Sequence, residues 1–134
     1  MKAGFIGTGS IGAPLATNIL DQENSLAVFD INNDATKSLA EKQARVLSSP
    51  KEVADEAEVI FACMPSIESF RTIVSGPDGV LMGGAMKTFV NLGTMGTEAT
   101  IAVEADLAAK GVAMLDSPIT GGVQRAWGPA RHPG

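Results

Sequence analysis

Gly7, Gly9 and Gly12 stand at the G-x-G-x-x-G spacing inside Phe5-Ile6-Gly7-Thr8-Gly9-Ser10-Ile11-Gly12, and the chemistry this spacing serves is the holding of a diphosphate against bare backbone. Gly7 permits the tight turn, Gly9 has no side chain to keep a pyrophosphate away, and Gly12 lets the following helix pack closely on its strand. Thr8, Ser10 and Ile11 fill the loop between them and share the cofactor-binding assignment. A short apolar run precedes the glycines, and Ile11, Leu15 and Ile19 follow at helical intervals, so the stretch reads as strand, turn and helix. The helix start then faces the anion with unpaired N–H groups and the positive end of its dipole, worth roughly 0.3 to 2 kcal/mol per favourable contact. Pro14 suits a first helical turn, where a missing N–H costs nothing.

A second residue extends the same chemistry. The next apolar run, Leu26 to Phe29, ends in Asp30, which lies 18 residues beyond Gly12, close to where a dinucleotide fold places a ribose-binding acid. A carboxylate there accepts hydrogen bonds from ribose hydroxyls and repels a 2′-phosphate, and no arginine follows it directly, so the expected cofactor is NAD and not NADP. Asp30 can also be read as a turn or helix cap, since Asn32, Asn33 and Asp34 follow it. The two roles are compatible.

The elements that would position these residues alternate. Asn33 or Asp34 could cap a helix carrying Ala35, Leu39 and Ala40, ahead of a third strand at Val46 and Leu47. Ser49-Pro50-Lys51-Glu52 combines a serine cap, a first-turn proline and a glutamate three residues after the cap, the signature of a helix start. Val59 to Met64 lacks polar alternation, as expected of a parallel strand covered on both faces. Met64, Pro65 and Ser66 at its exit should border the cofactor crevice, although Pro65-Ser66 also reads as the start of the helix carrying Ile67, Phe70, Ile73 and Val74. Gly76-Pro77-Asp78-Gly79 is a turn, and Val80-Leu81-Met82 a loop or one helical turn. Thr88 to Leu92 reads as a fifth strand, Glu98 to Lys110 as a helix ended by Gly111, and Val112 to Leu115 as a sixth strand whose exit again faces the crevice. Strict β/α alternation predicts an α/β fold: one doubly wound parallel (Rossmann) sheet in the order 3-2-1-4-5-6.

Composition narrows the remaining choices. With 134 residues, 45% of them hydrophobic, the chain suffices for one cored domain and is short for two. The net charge of −5 comes without a lysine or arginine cluster, which argues against nucleic-acid or anionic-membrane partners. No apolar run reaches the roughly 20 residues of a membrane span and no signal peptide opens the chain, so the default expectation is cytoplasmic. Cys63 is the only cysteine; its apolar neighbours point to a buried strand position in preference to a nucleophile. His132 is the only histidine, so no metal or triad centre is expected.

Several phrases, taken in order, resemble the 3-hydroxyacid dehydrogenase family, which includes 3-hydroxyisobutyrate dehydrogenase, tartronate semialdehyde reductase and the more distant 6-phosphogluconate dehydrogenase. The anchors are the stretch from Phe5 to Asn18, Met64-Pro65-Ser66, Gly76-Pro77-Asp78-Gly79-Val80, Asn91-Leu92-Gly93-Thr94, and Asp116-Ser117-Pro118-Ile119-Thr120-Gly121-Gly122. The resemblance implies that Met64 and Pro65 border the cofactor and that Thr94 lies near the nicotinamide. It also implies that Thr120, Gly121 and Gly122 take the place of a Ser-Gly-Gly segment holding the carboxylate of a small 3-hydroxy acid substrate. Thr120 keeps the hydroxyl donor of the usual serine. Asn91 stands where members usually carry aspartate, and Gly93 where they often carry serine. The resemblance places the proton-transferring lysine on a helix after the dinucleotide domain, and no lysine follows Lys110 here. The expected organisation is therefore a dinucleotide-binding domain over residues 1–126 and an irregular tail over 127–134, with the family's all-helical C-terminal domain absent and the chain inactive alone. Such a fragment would expose apolar surface on its crevice side, giving self-association or weak stability.

Two other classes remain open from the residues alone. A noncatalytic NAD-binding or interaction module would use the same glycines, and a methyltransferase-like α/β domain would turn them to S-adenosylmethionine. Asp30→Ala is expected to weaken NAD binding by about 1.5 to 3 kcal/mol, the worth of a charge-assisted hydrogen bond; unchanged affinity by calorimetry would remove the ribose-binding role.

Overall fold

The computed structural model describes residues 2–7, 12–21, 25–31, 36–64, 66–93 and 96–116. Among them run β1 (Lys2–Ile6), α1 (Gly12–Asp21), β2 (Ser25–Phe29), α2 (Lys37–Glu41), β3 (Arg45–Val46), α3 (Pro50–Glu56), β4 (Val59–Ala62), α4 (Ile67–Ser75), β5 (Thr88–Asn91), α5 (Thr97–Ala109) and β6 (Ala113–Asp116). A 3-10 turn covers Val80–Met82.

The six strands form one sheet in the order β3-β2-β1-β4-β5-β6, and every pairing is parallel. This is the doubly wound arrangement that the β/α alternation predicts. Successive strand residues point to opposite faces, and the sequence loads both faces with apolar side chains. Ile6, Ile60 and Phe89 face α3, α4 and α5, packing with Val53, Phe70 and Leu107. Phe5, Phe61 and Val90 face the other way, packing with Leu15, Ile19 and Leu39 of α1 and α2. Phe5 and Phe61 are register partners on β1 and β4 and stack with ring centroids 6.2 Å apart. Burying each of these large side chains contributes about 1.5 to 3 kcal/mol, and because both faces are covered the strands tolerate almost no polar residue.

Local signals set most boundaries. Ser49 caps α3 by accepting from Glu52 N–H at 3.2 Å, and Glu52 reaches back to accept from Ser48 N–H at 2.8 Å and Ser48 Oγ at 2.7 Å. Those two bonds hold the Glu52 carboxyl below the usual carboxylate range. Helix α5 ends with Lys110 as its cap and Gly111 at φ 76°.

Several boundaries differ from the sequence reading, among them β5 ending at Asn91, α5 running Thr97–Ala109 and β6 running Ala113–Asp116, each one residue off the reading. Helix α2 begins at Lys37 after Thr36, which makes no side-chain capping bond; Asn33 and Asp34, the expected caps, lie outside the described residues. Strand β3 is Arg45–Val46, one residue earlier than read, because Leu47 N–H continues the ladder to Val28 O at 2.9 Å without a further strand pair. Strand β4 ends at Ala62, so Cys63 follows it and is half-buried.

The turn after α2 carries local strain. Gln43 has φ 75°, the one non-glycine residue in the left-handed region among those described, while Gln43 and Ala44 N–H close the helix end onto Ala40 O and Leu39 O, each at 3.0 Å. A left-handed residue with a Cβ costs roughly 1 to 2 kcal/mol, part of which glycine's unfolded-state entropy offsets. Gln43→Gly should therefore stabilise the chain by about 0.5 to 1 kcal/mol; a urea midpoint that stays put or falls would show the turn to be relaxed as it stands.

Candidate functional site

A cavity of about 830 Å³ opens at the C-terminal ends of the strands, where β1 divides the connections running to β2 from those running to β4. In an open parallel sheet this switch point is where ligands bind, and the volume falls within the roughly 300 to 1,000 Å³ of small-molecule and cofactor sites. A smaller cavity of about 340 Å³ lies at the opposite, N-terminal ends of β1 and β2, beside Lys2, Ser25 and Arg45. Arg45 there pairs with Glu56 at 2.9 Å.

The floor of the larger cavity is the turn after β1. Gly7 N–H donates to Phe29 O at 3.0 Å, and Cys63 N–H donates to Ile6 O at 3.0 Å, so the end of β2 is tied to Gly7 and the exit of β4 to Ile6, the neighbouring last residue of β1. Gly7 has φ 90°, and a Cβ placed on it would run into Cys63 O and meet Met64 Sδ at 3.1 Å. Gly12 opens α1, and a Cβ there would collide with Gly7 O. The two glycines thus bring the first N–H groups of α1 directly over the end of β1, as an anion-binding helix start requires.

The predicted residues that fall among those described come together. Gly7, Gly12, Asp30 and Met64 all line the cavity. Thr8, Gly9, Ser10, Ile11, Pro65, Thr94, Thr120, Gly121 and Gly122 lie outside the described residues, as does His132. Asp30 follows β2 on the rim and is half-buried. The opposite wall is α4, whose cap Ser66 accepts from Ser69 N–H at 3.1 Å, so the reading of Ser66 as a helix start holds together with its place beside the crevice.

Several lining residues escaped the sequence reading. Ile31 projects from the rim next to Asp30 with 92% of its surface exposed, and Ser48, Ser49 and Pro50 enter from the exit of β3. Their signal was positional: each follows a strand end, and in a parallel sheet all such ends share one edge. Ile31 looks like an ordinary turn residue until the sheet places it there. Thr72 and Ile73 of α4 complete the wall, and nothing local in the sequence marks them.

The electrostatics are one-sided. Asp30, Glu68 and Asp78 line the cavity, and no lysine or arginine does among the described residues, so an anion there must be met by backbone N–H groups and hydroxyls. Burial pushes the Cys63 thiol above its ordinary pKa, which keeps it neutral at pH 7 and a poor nucleophile. Among the described residues no group of three or more His, Cys, Asp or Glu could hold a metal ion, and no helix is long and apolar enough to cross a membrane.

Residues 2–129 match the family described as the NAD binding domain of 6-phosphogluconate dehydrogenase. The chain is similar to 3-sulfolactaldehyde reductase of Escherichia coli, 35% identical over 116 residues, which is 86% of this chain and 39% of that protein. It is also similar to 3-hydroxyisobutyrate dehydrogenase of Pseudomonas aeruginosa, 32% identical over 120 residues, with 89% of this chain and 40% of that protein covered. Among solved structures, Mycobacterium tuberculosis 3-hydroxyisobutyrate dehydrogenase with L-serine superposes with a TM-score of 0.83 at 26% identity, over 92% of this chain and 42% of that one. The chain thus spans about two-fifths of the length of the curated relatives it matches.

Gly12→Ala should destabilise the chain by about 1 to 3 kcal/mol, because the added methyl must push α1 off the Gly7 carbonyl. Chemical denaturation of the two proteins measures this; equal stability would mean that the close approach of helix and strand is not needed.

Proposed function

From the premise that this chain belongs to the family of the NAD binding domain of 6-phosphogluconate dehydrogenase, we propose that it is the cofactor-holding part of an oxidoreductase moving a hydride between NAD and a small 3-hydroxy acid. The observation that carries the reading is the joint placement of Gly7, Gly12 and Asp30 around one cavity at the switch point of the sheet. The dinucleotide-binding unit is assigned to residues 1–126; residues 127–134 lie outside the described residues.

The residues present fit a dinucleotide. Two positions where a Cβ would strike backbone form the cradle, and the turn Gly7, Thr8, Gly9, Ser10, Ile11 and Gly12 supplies N–H groups for the diphosphate. Asp30 accepts from the adenosine ribose hydroxyls. Ile31, exposed beside it, offers an aliphatic surface for the base. The absence of a lining cation among the described residues supports NAD over NADP, since a 2′-phosphate would meet the Asp30 carboxylate without an arginine to receive it. Met64, Pro65 and Thr94 are assigned to the nicotinamide side, and Thr120, Gly121 and Gly122 to the substrate carboxylate.

When bound, the nicotinamide carries the hydride. The protein's part is to hold the two reactants and to move the hydroxyl proton. For the second task the 134 residues carry no lysine after Lys110, and Lys110 itself donates to Leu81 O at a helix end. The chain as given therefore binds the cofactor and leaves proton transfer to residues it does not contain.

Titration with NAD and NADP in parallel tests this reading. NAD should bind at least tenfold more tightly, equivalent to about 1.4 kcal/mol, and mixing with 3-hydroxyisobutyrate and NAD should produce no NADH. Equal binding of the two cofactors would remove Asp30 from its role, binding of S-adenosylmethionine alone would replace the reading, and turnover by a pure preparation would show that the chain supplies its own acid and base.

A further inference from the structure

On the far side of β4 from Asp30, one buried side chain joins two strand ends. Asn91, the last residue of β5, is 0% exposed. Its Nδ2 donates to Asp116 Oδ1 at 2.9 Å, and its Oδ1 accepts from Gly93 N–H at 3.1 Å. The amide orientation follows from the partners: a backbone N–H can only donate and an ionised carboxylate can only accept. Aspartate at position 91 could satisfy Gly93 but would turn a second acceptor toward Asp116, and an apolar isostere would bond neither Gly93 N–H nor Asp116. A carboxamide is the one common group that serves both.

The register sets Asn91 between Ala62 of β4 and Asp116 of β6. Its side chain therefore fixes the exits of β5 and β6 relative to each other, at the edge of the sheet where the crevice lies. A dinucleotide with its ribose at Asp30, beyond β2, and its diphosphate over β1 must carry its other end across β4 toward β5. We propose that Asn91, acting through Gly93 and Asp116, is a positioning residue for the nicotinamide half of the cofactor; this rests on the crevice being a dinucleotide site. The pair fixes the exits of β5 and β6 at Gly93 and Asp116 relative to each other, and it takes no part in holding the adenosine half.

Calorimetric titration of the 134-residue chain with NADH and, separately, with ADP-ribose tests this in the wild type and in Asn91→Leu, Asp116→Ala and Asp116→Asn. Asn91→Leu and Asp116→Ala should bind NADH about tenfold more weakly, because ordering strand exits that the lost bond no longer fixes becomes part of the cost of binding, with ADP-ribose affinity held within twofold. Asp116→Asn keeps an acceptor oxygen for Asn91 and should bind both ligands as the wild type does. Asp116 is exposed, so its variants keep the question answerable even where Asn91→Leu does not fold. Equal losses for the two ligands, or no loss for either, in a chain whose wild type binds both would overturn the positioning role alone. A wild type that binds neither ligand would overturn the cofactor reading and this inference with it.

Discussion

The missing side chain at Gly12 is the constraint on which the architecture of the crevice depends. With no Cβ to meet the Gly7 carbonyl, α1 begins in contact with the end of β1, and its first turn of unpaired N–H groups is delivered to the switch point of the sheet. Gly7, held at a positive φ, makes the turn that allows this. Its own N–H is not left idle: it extends the β1–β2 ladder by bonding Phe29 O, which sets the glycine turn beside the residue that precedes Asp30. One backbone bond and one absent methyl thus couple the start of α1 to Asp30 on the rim of the same cavity.

That coupling is only as firm as the sheet beneath it. Because the sheet is wholly parallel, both of its faces must be covered by helices, and the alternation of Phe5 with Ile6, Ile60 with Phe61 and Phe89 with Val90 sends apolar side chains to each. The hydrophobic requirement extends up to the strand ends and stops there. Past Ile6, Phe29 and Ala62 the chain turns to Gly7, Asp30 and half-buried Cys63, where burial no longer excludes polar groups and a ligand can be met. The two exits beyond β4 follow the same rule, with Asn91 as the one fully buried polar side chain of the strands and with its hydrogen-bonding capacity directed along the edge of the sheet.

The charge pattern complements the geometry. A crevice without lining cations among the described residues leaves fixed backbone dipoles, which are directional, as the groups there that could meet an anion. Carboxylates at Asp30, Glu68 and Asp78 line it, so added negative charge beside them is disfavoured, and the family's NAD-binding character has a local electrostatic counterpart.

The sequence by itself determined the order of elements, the parallel sheet and the glycine–aspartate pair, because each is written in contiguous residues: apolar runs for strands, helical spacing for α1 and α4, a serine–proline–glutamate start for α3, a fixed interval from Gly12 to Asp30. Cap positions were less legible, since Thr36 opens α2 without a side-chain capping bond. Only the tertiary structure decided that Ile31, Ser48 and Thr72 share a cavity with Gly7, and that Asn91 answers Asp116 across a strand pair. Those residues are far apart in the chain and carry no local pattern. What unites them is the register and twist of the sheet, a property of strand pairing between distant segments that a single stretch of sequence does not contain.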